Sequence, residues 1–372
     1  MTSHSILTAA QNSSQAIQQD VSRALSGIDF SSWDEMLRGV FPGISAESIA
    51  KGAADGSLNL SPSELFEALI SMALSGLRQM LPFAAVILGL AFVGCILERM
   101  QANFSQGETA GAAGTLCFLL TALPVIGYFS QQLKLCMEGV RRLTAFSDAA
   151  MPSLLALLTA TGGISSAAML KPAAIAATGL INTIIEGMVT TLVSFCAALA
   201  VVGGLSSPIK TGKMLLAVKT ICTWVLTAAL SIFASVITVQ GLGSSAMDGV
   251  SIRAVQYAID NYVPVVGGFF KDSYGMLVGS ALILRNAVGI TGLIWIILLC
   301  CMPLLSLMVS IMLFKICAAL IEPLGGERMA AMLSDFSGIF SLLFAVLASV
   351  AMMCIILIAA VIACGNTVMG LM

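Results

Sequence analysis

Seven long apolar stretches of this 372-residue chain contain no Asp, Glu, Lys or Arg: 79–97, 109–133, 149–170, 187–209, 220–247, 286–314 and 336–372. An α-helix needs ~20 apolar residues to cross the ~30 Å hydrocarbon layer of a bilayer. The seven runs reach or approach that length. An eighth and weaker stretch, 261–284, is broken by Lys271 and Asp272. The runs are too long for barrel strands and show no period-two alternation. The expectation is an all-α, polytopic membrane protein with about 7–8 transmembrane helices, partnered first of all by the lipid bilayer.

Composition agrees. The chain is 58% hydrophobic and 10% charged, where a soluble domain carries ~25% charge. Mean hydropathy is +1.01. A soluble core of that kind would lack the polar surface to cover it. The net charge of −2 offers no basic field for phosphate, which excludes nucleic acid as a partner. His4 is the single histidine, so zinc sites built on His pairs are excluded. The ten cysteines form no C-x-x-C and lie mostly inside the apolar runs, where they read as small packing residues. No metal or cofactor is expected.

Residues 1–60 read as a weakly ordered, acidic N-terminal region, and Met1-Thr-Ser-His has neither the basic nor the apolar part of a signal peptide. Ser61-Pro62-Ser63-Glu64 is a helix start with a capping box and Pro at the first helical position. It opens an amphipathic helix over 61–78. Residues 79–147 hold two spans and an interfacial helix carrying Lys134, Arg141 and Arg142.

From there the chain repeats itself, as 148–259 and 260–372. Asp148-Ala-Ala-Met-Pro152 matches Asp260-Asn-Tyr-Val-Pro264, and Thr178-Gly-Leu-Ile181 recurs as Thr291-Gly-Leu-Ile294. The stretch Pro208 to Met214 resembles Pro323 to Met329, so the offset stays near 113 residues. Three crossings per unit would invert the second unit relative to the first, as in many secondary transporters. Two crossings per unit would leave the repeats parallel.

Glu186 separates two apolar stretches, and Asn182, Glu186 and Thr190 share one face at helical spacing. A carboxylate at depth costs at least ~2.5 kcal/mol and must face protein or water. Lys219, near the start of the next long run, is its expected partner in an intramembrane polar or ion site. A second candidate is a broken-helix pore lining: Pro264, Gly267, Gly268, Lys271, Asp272, Arg285 and Asn286. A Pro-Gly break is tolerated in a membrane only against protein or a wet cavity.

Enzyme signatures fail. The stretch Ser207 to Lys213 lacks the first glycine of a phosphate loop, and Met214 stands where Ser or Thr would hold magnesium. No H-E-x-x-H is present, and a nucleophilic serine would lack a histidine base. No catalytic residue is assigned.

Several segments together resemble the stage III sporulation protein AE family of endospore-forming bacteria over residues 60–372. These are Glu98-Arg99-Met100, Asn261 to Gly268 followed by Asp272, Leu284 to Leu293, and Ile321-Glu-Pro-Leu-Gly-Gly-Glu-Arg328. The resemblance implies a multi-pass, permease-like protein of the mother-cell membrane around the forespore. It implies partnership with other stage III sporulation A membrane proteins and with a forespore-side channel partner. The complex is a channel or secretion-like conduit needed after engulfment. Members often begin with a signal peptide, and no active-site residue comes with the family. An autonomous secondary transporter of a small solute is the alternative reading.

Overall fold

A computed structural model of the chain describes residues 30–31, 33–34, 45–55, 62–104, 108–205, 211–262 and 267–369. Among the described residues the backbone is almost entirely helical, with no strand. The elements are α1 (Ala46–Asp55), α2 (Pro62–Phe104), α3 (Glu108–Ala160), α4 (Ile164–Leu180), a π-helical segment (Ile181–Val189), α5 (Thr190–Leu205), α6 (Gly212–Tyr262), α7 (Gly267–Ile321), a 3-10 turn (Glu322–Leu324) and α8 (Glu327–Met369). Pro62 takes the first position of α2, where its missing N–H costs nothing.

The apolar runs join into fewer and longer rods than their spacing predicts. Among the described residues six helices are long and apolar enough to cross a membrane, with stretches of 21, 46, 42, 40, 46 and 38 residues. The charges at 134–148 and at Glu186 separate runs in the sequence without interrupting the helix, because Lys, Arg and Glu are good helix formers. At 1.5 Å per residue, ~40 residues make a rod of about 60 Å, twice the hydrocarbon thickness.

Helices end where the backbone must reverse. Gly162 has φ 88°. Its N–H bonds to the Thr159 carbonyl and that of Gly163 to the Leu158 carbonyl, both at 3.0 Å. This is a Schellman motif, which needs a left-handed residue that glycine supplies without penalty.

Beyond this turn the chain forms two antiparallel hairpins. In the first, the N–H groups of Ser165 and Ser166 at the start of α4 bond to Asp248 near the end of α6, at 2.8 and 2.9 Å. In the second, Ser337 of α8 donates to the Ile311 carbonyl of α7 at 3.1 Å. The landmark containing Pro323 lies at the turn of the second hairpin; Thr211 to Met214 of its counterpart open α6, and Pro208 to Lys210 lie outside the described residues.

Helix α8 is the hub, packed against α3, α5, α6 and α7. An aromatic cluster locks α2, α3, α7 and α8 together. Phe83 stacks on Tyr128 with centroids 4.6 Å apart, and Phe314 meets Phe340 edge-on at 4.9 Å. Such pairs contribute ~0.5–1.5 kcal/mol beyond their buried area.

Within 1–60, a short N-terminal stretch is seated in the bundle. Phe30 and Trp33 are buried. Trp33 meets Phe146 edge-on at 4.9 Å, and Trp295 Nε1 donates to the Trp33 carbonyl at 2.9 Å. Asp34 then accepts the Ala46 N–H at 2.8 Å, which caps α1.

Candidate functional site

Four long helices bring their middles to one level. Cys136 of α3 donates through Sγ to the Leu343 carbonyl of α8 at 3.4 Å, and a Cβ on Gly139 would stand 3.4 Å from Pro303 of α7. Ile184 and Ile185 share a small cavity with Leu226 and Phe233 of α6 and Met353 of α8. This slice is the equator of the bundle, and its surface is of two kinds. On α6 and α7 it exposes Trp224, Ile232, Ile297 and Met302. On α3 and the π segment it exposes charge.

The charged side is built of pairs. Arg141 Nε lies 2.9 Å from Glu186 Oε1, with side-chain exposures of 66% and 32%. Arg142 Nε lies 3.0 Å from Glu138 Oε1, one helical turn away. Lys134 is exposed on the same helix. The π segment aims Glu186 at α3. At its end Thr190 bonds by both N–H and Oγ1 to the Ile185 carbonyl five residues back, and its Oγ1 also reaches Met137 Sδ at 3.3 Å. Single π turns inside α-helices mark functional positions unusually often. The side chain of Asn182 lies outside the described residues.

Beside the belt a cavity of about 590 Å³ opens between α2, α3 and α7, with Lys134, Glu138, Gln132, Tyr128, Ser306 and Met302 in its wall. At its inner end the Tyr128 hydroxyl meets Ser310 Oγ at 2.7 Å and accepts from Gln132 Nε2 at 2.8 Å. Gln132 also donates to Ser306 Oγ at 3.3 Å. Gln132 and Ser310 are buried, so this network offsets a desolvation cost that isolated groups would not recover. The sequence reading missed it, although Tyr128 and Gln132 at i, i+4 were its trace.

Lys219 and Glu186, expected as partners, are each paired elsewhere. Lys219 Nζ sits 3.6 Å from Asp335 Oδ1 and donates to the Asp335 carbonyl at 3.2 Å. A Cβ on Gly338 would fall 2.6 Å from that Nζ, so α8 leaves the space the ammonium occupies. Arg141 and Asp335 were not foreseen as the partners because both lie far from their mates in sequence.

Of the expected pore lining, Pro264 lies outside the described residues, between α6 and α7. Gly267, Gly268, Lys271 and Asp272 form the first turns of α7, and the placement of their side chains is outside the described residues. Arg285 and Asn286 sit two-thirds of a rod away from the 3-10 turn, near the Gly162 end. Arg285 is fully buried and donates to Thr161 Oγ1 at 3.3 Å, to Asn286 Oδ1 at 3.3 Å and to the Ile362 carbonyl at 3.2 Å. It ties the Gly162 turn to α7 and α8.

Residues 44–365 match the family model described as Stage III sporulation protein AE. A relative of that same name from Bacillus subtilis (strain 168) is 27% identical over 315 residues, covering 85% of this chain and 79% of that protein. No solved structure matches. The charged equator, the long apolar rods and the match over most of the length therefore belong to one identity: this chain is a member of the stage III sporulation protein AE family.

Proposed function

We propose that this chain is the non-enzymatic membrane subunit of the stage III channel or secretion-like complex, which links mother cell and forespore and is needed after engulfment. The observation that carries it is the equatorial belt. A multi-pass protein that holds Lys134, Glu138, Arg141, Arg142 and Glu186 at a level where α6 and α7 carry no charged side chain is built to border water, protein or lipid headgroups on that side. Its site is the mother-cell membrane around the forespore, and its partners are the other stage III sporulation A proteins and a forespore-side channel protein. Deleting the gene should leave vegetative growth and engulfment normal and stop development afterwards. A deletion strain that forms spores at the wild-type frequency refutes the proposal.

The cavity of about 590 Å³ beside the belt favours a second reading, an autonomous transporter of a small polar solute. Purified chain in liposomes then moves solute without partners. Liposomes that stay tight to every solute tried, beside a sporulation defect on deletion, leave the conduit-subunit reading alone.

A further inference from the structure

We propose that the cavity between α2, α3 and α7 is a site for one anionic phospholipid, whose phosphate is held by Lys134 and Arg78 and whose glycerol region and upper chains lie in the cavity. The site stands independently of the conduit reading.

Two exposed cations border this cavity, one from each side. Lys134 of α3 stands in its wall. Arg78 belongs to the turn of α2 that supplies Gly76 and Met80 to the wall. Met80 fixes the level: its Sδ lies 3.3 Å from Tyr128 Oη, and Lys134 stands less than two turns further along α3. Neither Lys134 nor Arg78 makes an ion pair among the described residues. The carboxylate in the wall, Glu138, is engaged by Arg142 at 3.0 Å, and Glu186 by Arg141 at 2.9 Å. The charge left over at the opening is therefore positive, and it selects an anion.

Behind the cations the wall turns apolar, with Met80, Leu135, Met302, Leu305 and Val309. At the inner end Gln132 and Ser306 are joined to each other only by long bonds, 3.3 and 3.4 Å, which the ester and glycerol oxygens of a ligand can replace. A small ion would leave the apolar wall unused, and an apolar chain alone would leave the cations unused. A phosphate carried on an apolar body uses both. The level fits as well. At 1.5 Å per residue Lys134 comes ~28 Å along α3 from Thr115, and Arg142 ~27 Å from Ala160, the two ends of the apolar stretch. A hydrocarbon layer of ~30 Å over either half of the rod therefore ends beside these side chains. A layer centred on them would hold unpaired cations in hydrocarbon, which bilayers resist. Basic pockets between helices at the edge of the hydrocarbon hold anionic headgroups.

The test is native mass spectrometry and thermal unfolding of the purified full chain in detergent, with added phosphatidylglycerol, phosphatidylcholine or glycerol 3-phosphate. The expected result is one retained phosphatidylglycerol per chain and a raised melting temperature, with neither effect from the other two. Lys134→Gln and Arg78→Gln should each weaken retention about fivefold, and together about thirtyfold. Lys171→Gln, which removes an exposed cation from α4, should leave it unchanged. Melting of each variant without lipid checks that it is folded. Equal retention of phosphatidylcholine, or full retention of phosphatidylglycerol by the double variant, overturns the proposal. So does an equal shift with glycerol 3-phosphate, because the site is then one for a free phosphate compound. The deletion strain decides the conduit reading separately.

Discussion

Arg141, in the middle of α3, donates through Nε to Glu186 at 2.9 Å, and Glu186 stands in the π-helical segment that joins α4 to α5. Glu186→Gln leaves the guanidinium without its carboxylate at the bundle's equator. The expected outcome is a drop in spore titre with the protein still present on an immunoblot. Adding Arg141→Gln should restore part of the titre, whereas adding Lys219→Met should not. Rescue by the Lys219 change would show that the pairing is otherwise.

Lys219 and Asp335 join α6 to α8 with side-chain exposures of 17% and 38%. Lys219→Met should lower the melting temperature of the detergent-solubilised protein by the equivalent of about 1–3 kcal/mol, since Asp335 loses its cation in a half-buried place. Gly338→Ala should have a similar effect by displacing the ammonium. Lys219→Met with Asp335→Leu should regain most of the loss, because an apolar pair replaces a partly buried ionic one without penalty.

The seat of the N-terminal stretch separates ring from hydrogen bond. Trp295→Phe keeps an aromatic ring in a fully buried place and removes the donor to the Trp33 carbonyl, for a loss of about 1 kcal/mol. Trp33→Ala empties the seat, for about 3–5 kcal/mol. Trypsin cleavage after Lys51 of α1 should accelerate strongly for Trp33→Ala and slightly for Trp295→Phe. Equal acceleration would mean that the bond, not the ring, holds the segment.

Tyr128→Phe removes one hydroxyl that serves two buried partners, Ser310 and Gln132. The expected cost is about 1–3 kcal/mol in thermal stability. Ser310→Ala in the Tyr128→Phe background should cost less than Ser310→Ala alone, because the shared bond is already gone.

Much of the architecture was legible because a bilayer imposes it. Runs free of charge announced the helices, and the pattern of Ile321 to Arg328 was among those that announced the family, while the turn it makes before α8 was not read. The joining of runs was not legible. Lys134, Glu138 and Arg142 look like a break between spans in a charge plot, yet they continue α3 because their backbone propensity is helical. Glu186 was legible as an anomaly, and the face it shares with Thr190 does meet α3, at Arg141 and Met137. Its partner was not, because a pair separated by 45 residues depends on how antiparallel rods align, which no local pattern encodes. Arg285 stood out as a cation beside an apolar run, but only the packing of the Gly162 turn against α7 shows it to be fully buried.

Helix α3 is one uninterrupted member from Glu108 to Ala160. It carries Arg141 and Arg142, then Phe146 against the Trp33 ring one turn later, and it runs into the turn whose Thr161 hydroxyl receives Arg285. These attachments are keyed to a single shaft. The N-terminal seat, the ionic pairs and the Arg285 tie therefore share one element, and a substitution that shifts α3 is felt at all three.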